Sequence, residues 1–193
     1  YEELRYFFPN AKITRLDSDV SSNEIRHQVL EQFADGETDI IVGTEIIAKG
    51  HDFPKVTLAA ILDADSSLRI PSYTANEDTF DLISQFVGRA GRKDLKGRVL
   101  LQTYNPNNEV IQLGAKQDYD TFYLKEMEER KKYKYPPYTY LSSINIKGVD
   151  LKEVLSIADQ IKNYLLKKTA GLRFDIFGPS APYIAHINGR YYR

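Results

Sequence analysis

The apolar positions of the first hundred residues follow two alternating periods. Residues 11–17 carry a strand pattern. Ile25, Val29 and Phe33 then recur at i, i+4 and i+8, with Leu30 and Ala34 beside them, which puts one apolar stripe on a helix. Ser21, with Glu24 three residues on, has capping-box spacing at the start of that helix, and Gly36 ends it. Residues 39–42 form a short apolar run. Residues 56–62 form a longer one, of the kind buried on both faces of a parallel sheet. Phe80, Ile83 and Val87, with Leu82 and Phe86, mark another helix, and residues 98–103 another buried strand. A short helix over residues 2–8 precedes all of these and stops before Pro9. Strand and helix in alternation predict an α/β fold with a parallel sheet.

After Pro106 the pattern changes. Residues 108–132 predict one charged helix, with Glu126–Arg130 and Glu128–Lys132 at i, i+4. Tyr135-Pro136-Pro137-Tyr138 cannot lie inside a helix and punctuates the chain as a rigid linker. Residues 139–147 predict a strand. Asp150 caps a long amphipathic helix with Val154, Ala158, Ile161 and Leu165 on one face, ended by Lys167, Lys168 and Gly171. Residues 172–177 predict a further strand, and residues 185–191 a hairpin turning at Asn188-Gly189. This order predicts a small α+β domain after the α/β part, with its last strand cut short.

Composition narrows the classes. The 193 residues are 42% hydrophobic and 27% charged, and no apolar run approaches a membrane span. The absence of cysteine excludes disulfides, thiol nucleophiles and cysteine metal sites within this stretch. The chain begins at Tyr1 rather than Met, so it is expected to be a piece of a longer product. The net charge of −1 hides an asymmetry. Residues 1–118 hold 13 Lys+Arg against 19 Asp+Glu, and residues 119–193 hold 13 against 8 together with ten of the 14 tyrosines. A basic, tyrosine-rich segment can meet nucleic acid through phosphate contacts and ring stacking. A solvated helix face with core and edge tyrosines has the same composition.

Two segments carry candidate chemistry. In the first, the strand Ile40-Ile41-Val42 runs into Gly43-Thr44, then Lys49-Gly50-His51-Asp52-Phe53. The C-terminal ends of strands are where parallel α/β sheets bind ligands. Gly43 and Gly50 permit close backbone approach, Thr44 offers a hydroxyl and an N–H to a phosphate, and Asp52 can accept from a ribose hydroxyl. In the second, Gln85-x-x-Gly88-Arg89-x-Gly91-Arg92 places two arginines three apart at a helix end, with Gln85 on the same helix. Arginine's planar, permanently charged fork suits phosphate oxygens. Pairing with Asp81 or Asp94 would explain the arginines but not two glycines in a helical stretch, each costing about 1 kcal/mol relative to alanine. Asp63 and Asp65 look like a catalytic carboxylate pair on one strand face, though lobe architecture or an interlobe contact explains them better. His51 has no evident partner for acid–base work, and His27 and His186 read as structural.

These segments resemble motifs V and VI of superfamily 2 helicases, and Asp17-Ser18-Asp19 fits the region around motif IV. Residues 48–54, Leu62-Asp63-Ala64-Asp65, Gln102-Thr103-Tyr104-Asn105-Pro106, Tyr135-Pro136-Pro137-Tyr138, Gly178-Pro179 and Gly189-Arg190-Tyr191 are together similar to the PriA family of primosomal replication restart helicases. The resemblance covers nearly the whole chain.

The resemblance implies a RecA-like second helicase lobe over residues 1–132, a parallel sheet flanked by helices. A truncated α+β C-terminal domain over residues 133–193 would follow. ATP with Mg²⁺ would sit between this lobe and a first lobe; no G-x-x-x-x-G-K-[ST] loop or DExH-type box occurs here. Arg92 and Arg89 would reach the γ-phosphate and Gln85 would sense it. Gly50 and Asp52 would couple nucleotide to DNA, while Gly43, Thr44 and Lys49 would hold strand phosphates. Expected partners are single-stranded and forked DNA, single-stranded-DNA-binding protein and primosome proteins, with no membrane. Localisation would be cytoplasmic, at a bacterial nucleoid. Zinc is expected in the parent but not in this chain. Alone, the fragment would not hydrolyse ATP. The alternative is a non-catalytic nucleic-acid- or protein-binding module acting through its basic C-terminal part. An unrelated phosphotransferase would need a complete phosphate loop.

Overall fold

The computed structural model describes residues 1–16, 23–44, 47, 53, 55–88 and 97–193. The chain divides into two compact units, Tyr1–Lys132 and Tyr133–Arg193. Their charges differ: residues 1–132 hold 17 Lys+Arg against 23 Asp+Glu, and residues 133–193 hold 9 against 4.

In the first unit, α1 (Glu2–Phe7) precedes β1 (Ile13–Leu16), α2 (Asn23–Asp35) and β2 (Ile40–Gly43). β1 and β2 pair in parallel, from Ile13 opposite Ile40 to Leu16 opposite Gly43. α2 lays Leu30, Val29 and Phe33 over Leu16, and Phe53 closes this core edge-on to Phe33, with ring centroids 5.0 Å apart. The helix stops as its sequence predicts. Gly36 takes φ +84°, its N–H donates to Phe33 O, and the Glu37 N–H reaches back to Gln32 O at 2.9 Å. Ser21 and Ser22, the expected cap, lie outside the described residues.

β3 (Leu58–Ile61) and β4 (Arg98–Leu101) form a second parallel pair, Leu58 opposite Arg98 through Ile61 opposite Leu101. The expected burial on both faces does not hold. Ile61 is in the core, whereas Leu58 is 60% and Leu100 54% exposed. The cause is geometric: α3 (Ala75–Val87) covers the Ile61 face through Ile83. Successive strand residues point to opposite faces, so covering one face leaves alternate residues outside.

The single helix expected over residues 108–132 is two helices. α4 (Glu109–Lys116) ends at Gln117 in the left-handed region, φ +55°, and α5 (Tyr119–Tyr133) begins after Asp118. Asp118 accepts from the Thr121 N–H at 3.2 Å, and bonding to Thr121 holds its carboxyl below the usual range. The break lets each helix present its own apolar face to α3. From α4 come Ile111 and Leu113; from α5 comes Phe122, stacked on Phe80.

In the second unit, β5 (Lys147–Gly148), β7 (Arg190–Tyr192) and β6 (His186–Ile187) form an antiparallel sheet in that spatial order. Asn188 and Gly189 turn the β6–β7 hairpin with φ of +51° and +72°, the pairing a type I′ turn needs. α6 (Leu151–Lys168) starts at Asp150, whose carboxylate accepts from the Glu153 N–H at 2.9 Å, and buries Val154 and Ala158. Two expected strands do not form. Of residues 139–147 only Lys147 pairs as strand, with Ile146 exchanging backbone bonds with Arg193, and residues 172–177 are not strand. Tyr140, Phe174 and Phe177 are all exposed. An alternating pattern makes a strand only where a neighbouring ladder accepts its backbone.

Candidate functional site

The first candidate segment begins at the C-terminal end of β2. Gly43 sits opposite Leu16, and a Cβ there would lie 2.1 Å from the Leu16 carbonyl oxygen and 2.6 Å from Ile47 Cδ1. Strand pairing and the Ile47 side chain already demand glycine at this point, independently of any ligand. Thr44 is exposed, and its carbonyl accepts from the Ile47 N–H at 3.1 Å. Phe53 returns the chain to the Leu16–Leu30 core. Lys49, Gly50, His51 and Asp52 lie outside the described residues, as do residues 17–19.

The second candidate segment begins on α3. Phe80 and Ile83 are buried on its core face, and Gln85 is half-buried in the last turn. The helix runs to Val87 with Gly88 as C-cap. Arg89 and Arg92, which the spacing argument placed on the same helix as Gln85, lie outside the described residues. A Cβ at Gly88 would make tight contacts, 3.2 Å from Gln117 Nε2 and 3.3 Å from the Ser84 carbonyl oxygen.

The other end of α3 is tied to α5. Arg130 donates to Glu126 at 2.9 Å and to Glu77 at 2.6 Å, and its guanidinium lies 5.4 Å from the Tyr73 ring centroid. Asn76 adds a bond to the second Glu126 oxygen at 3.2 Å. The Glu126 and Arg130 side chains are only 10% and 12% exposed, so the pair is compensated by hydrogen bonds from both helices rather than by water. Sequence spacing found Glu126–Arg130; it had no signal for Glu77, Asn76 or Tyr73, which reach the pair from fifty or more residues away. On α3 itself, partial burial together with Glu77 and Asp78 pushes the Asp81 carboxyl above its ordinary value.

Asp63 and Asp65 do not form a catalytic pair. Both lie beyond β3, and Asp63 takes φ +56°, which removes the shared strand face. Asp63 binds Arg69 through both oxygens, one contact at 2.9 Å, and that guanidinium holds its carboxyl below the usual range. Asp65 is buried and accepts from the Thr103 hydroxyl and the Tyr104 N–H, each at 2.9 Å. Asp65 fastens the segment after β3 to the end of β4, and Asp63 braces that same segment through Arg69, in line with the architectural reading. His27 meets Glu31 at 3.2 Å on an exposed helix face, and His186 packs on Tyr191, with ring centroids 4.6 Å apart.

Residues 1–94, which contain both candidate segments, match the helicase conserved C-terminal domain. The replication restart protein PriA of Bacillus subtilis (strain 168) is 42% identical over 191 residues, 98% of this chain and 24% of that protein. The chain belongs to the PriA family. The PriA of Chlamydia trachomatis is 48% identical over 139 residues, 72% of this chain and 18% of that protein. The PriA of Thermotoga maritima is 32% identical over 190 residues, 98% and 25% of the two chains. The chain spans about a quarter of the length of the PriA relatives it matches. Among the described residues no helix is long and apolar enough to cross a membrane, and no cluster of three or more His, Asp or Glu side chains could hold a metal ion.

Proposed function

We propose that this chain supplies the second motor lobe and the adjoining domain of an ATP-dependent DNA helicase that restarts replication. The observation that carries this reading is the helicase-domain match over residues 1–94, which spans both candidate segments within a PriA match over nearly the whole chain. In this reading ATP with Mg²⁺ is bound between this lobe and another. Arg92 with Arg89 stabilises the charge that develops on the γ-phosphate, an effect worth about 10³–10⁵ in rate in comparable enzymes. Gln85, in the last turn of α3, senses the γ-phosphate. Gly50 and Asp52 couple nucleotide to DNA. Thr44, the backbone at Gly43, and Lys49 hold strand phosphates, so binding carries little sequence preference. Closure and opening of the lobes would step the motor 3′ to 5′ along one strand of single-stranded or forked DNA. Single-stranded-DNA-binding protein and primosome proteins are the proposed protein partners, in the cytoplasm. A cysteine zinc module would lie elsewhere in the polypeptide, because this chain has no cysteine to build one.

The test is Arg92→Ala in the full-length protein. DNA-stimulated ATP hydrolysis should be lost while DNA binding stays near normal. Hydrolysis at a near-normal rate would remove Arg92 from this role.

The second unit supports a second reading, a nucleic-acid-binding module. It carries 9 Lys+Arg against 4 Asp+Glu, with Tyr138, Tyr140 and Tyr183 exposed. Both readings can hold together, since a motor needs a grip on DNA. Steep salt dependence of single-stranded DNA binding by residues 133–193 alone favours the module.

A further inference from the structure

Gln117 caps one helix and braces another. Its backbone, at φ +55°, is the left-handed C-cap of α4, and its N–H donates to the Gly114 carbonyl at 3.1 Å. Its side-chain amide crosses to α3 and donates to the Ser84 carbonyl at 3.1 Å. The same oxygen accepts from the Gly88 N–H at 2.9 Å. A carbonyl oxygen has two lone pairs, so it can hold both donors.

Two glycines lie beside the reach. Gly114 lets α4 approach α3 closely: a Cβ there would lie 3.1 Å from Ile83 Cβ and 3.5 Å from the Phe80 carbonyl oxygen. Gly88 leaves open the space that the Gln117 amide occupies. Gly88 is bonded directly to Arg89, and Gln85 follows Ser84 in the same turn.

From this arrangement we infer that Gln117 is a positioning residue for the last turn of α3: its amide braces the Ser84–Gly88 turn, which holds Gln85 and leads in sequence into Arg89. The inference rests on the reading of Gln85, Arg89 and Arg92 as γ-phosphate groups. Gln117 touches neither nucleotide nor DNA in it; it acts through Ser84 and Gly88.

The backbone of Gln117 supplies the discriminating variant. Glycine adopts the left-handed region more readily than glutamine, so Gln117→Gly improves the α4 cap while deleting the amide. Gln117→Asn also tolerates that backbone but is one carbon too short to reach Ser84. Both variants, with Arg92→Ala alongside, are made in the full-length protein. ATP hydrolysis is followed with single-stranded DNA, together with thermal unfolding.

For both Gln117 variants kcat should fall roughly three- to tenfold, the scale of one lost neutral hydrogen bond. KM for ATP should stay within about twofold, and the Gly variant should unfold no earlier than the parent. Wild-type kcat in Gln117→Gly, with Arg92→Ala inactive, overturns the inference alone. A fall in kcat matched by a fall in melting temperature in both variants also overturns it, because that is a purely structural role. Near-normal hydrolysis by Arg92→Ala removes the underlying reading, and the inference goes with it.

Discussion

Phe80 and Phe122 stack face to face, with ring centroids 4.3 Å apart and planes 9° from parallel. Phe80 is on α3 and Phe122 on α5, both are buried, and Leu113 of α4 completes the cluster. This contact fastens the helix that carries Gln85 to the helical pair that follows β4. Phe122→Ala should cost about 3–4 kcal/mol through lost transfer energy and the cavity left behind. For a unit of this size that lowers the melting temperature by roughly 10 °C. Scanning calorimetry or thermal circular dichroism measures it, and a loss under 1 kcal/mol would show that the cluster contributes little.

Glu126→Ala should destabilise by about 2–3 kcal/mol, because it removes a carboxylate from the Arg130 guanidinium, which is largely out of water and keeps Glu77, and strands the Asn76 amide. Replacing Glu126 and Arg130 together by apolar residues of similar volume should recover much of that loss. Urea midpoints of the single and double variants check both statements. A double variant as unstable as the single one would contradict the account.

Asp81→Asn should stabilise at neutral pH by about 0.5 kcal/mol, because it relieves the partial burial of the charge and then its repulsion by Glu77 and Asp78. The sign follows from the raised carboxyl value in the fold. A carboxyl held above its unfolded value penalises the folded state at pH 7, and the penalty fades as pH falls through the folded value. Below the ordinary 3.8 both states are protonated and the advantage of Asn disappears. Melting temperatures of the two proteins at pH 7 and pH 3 should therefore differ, then converge. An equal difference at both values would rule out charge as the cause.

Gly43→Ala should lose about 1–3 kcal/mol, since its Cβ would meet the Leu16 carbonyl oxygen and Ile47 Cδ1 well inside van der Waals distance. Hydrogen exchange at the β1–β2 amides should rise in this variant more than at β3–β4. Unchanged protection would mean that the strand end can yield without cost.

The alternation of apolar runs and helical stripes was enough to place α1, α2, α3, α6 and the β6–β7 hairpin, because their signals are local: Gly36 after a stripe, Asp150 before one, Asn188-Gly189 between strands. The helix break at Gln117 was legible in part, with Lys116 in a last turn and Asp118 at cap spacing from Thr121. The continuous charged run around it hid the stop. What local pattern could not contain was which faces end up covered. Leu58 and Leu100 read as buried and are exposed, and residues 172–177 read as strand without a ladder to join.

The sequence by itself determined the α/β class, the charge asymmetry and the two segments of helicase type, since these rest on residue identity and spacing along one chain. Tertiary structure alone decided that Asp65 fastens the segment after β3 to the end of β4, that Glu77 and Asn76 complete the Glu126–Arg130 pair, and that Gly43 sits against the Leu16 carbonyl. Those facts depend on distances across space between residues far apart in the chain. No periodicity along the chain encodes such distances; they exist only once the helices and strands have packed.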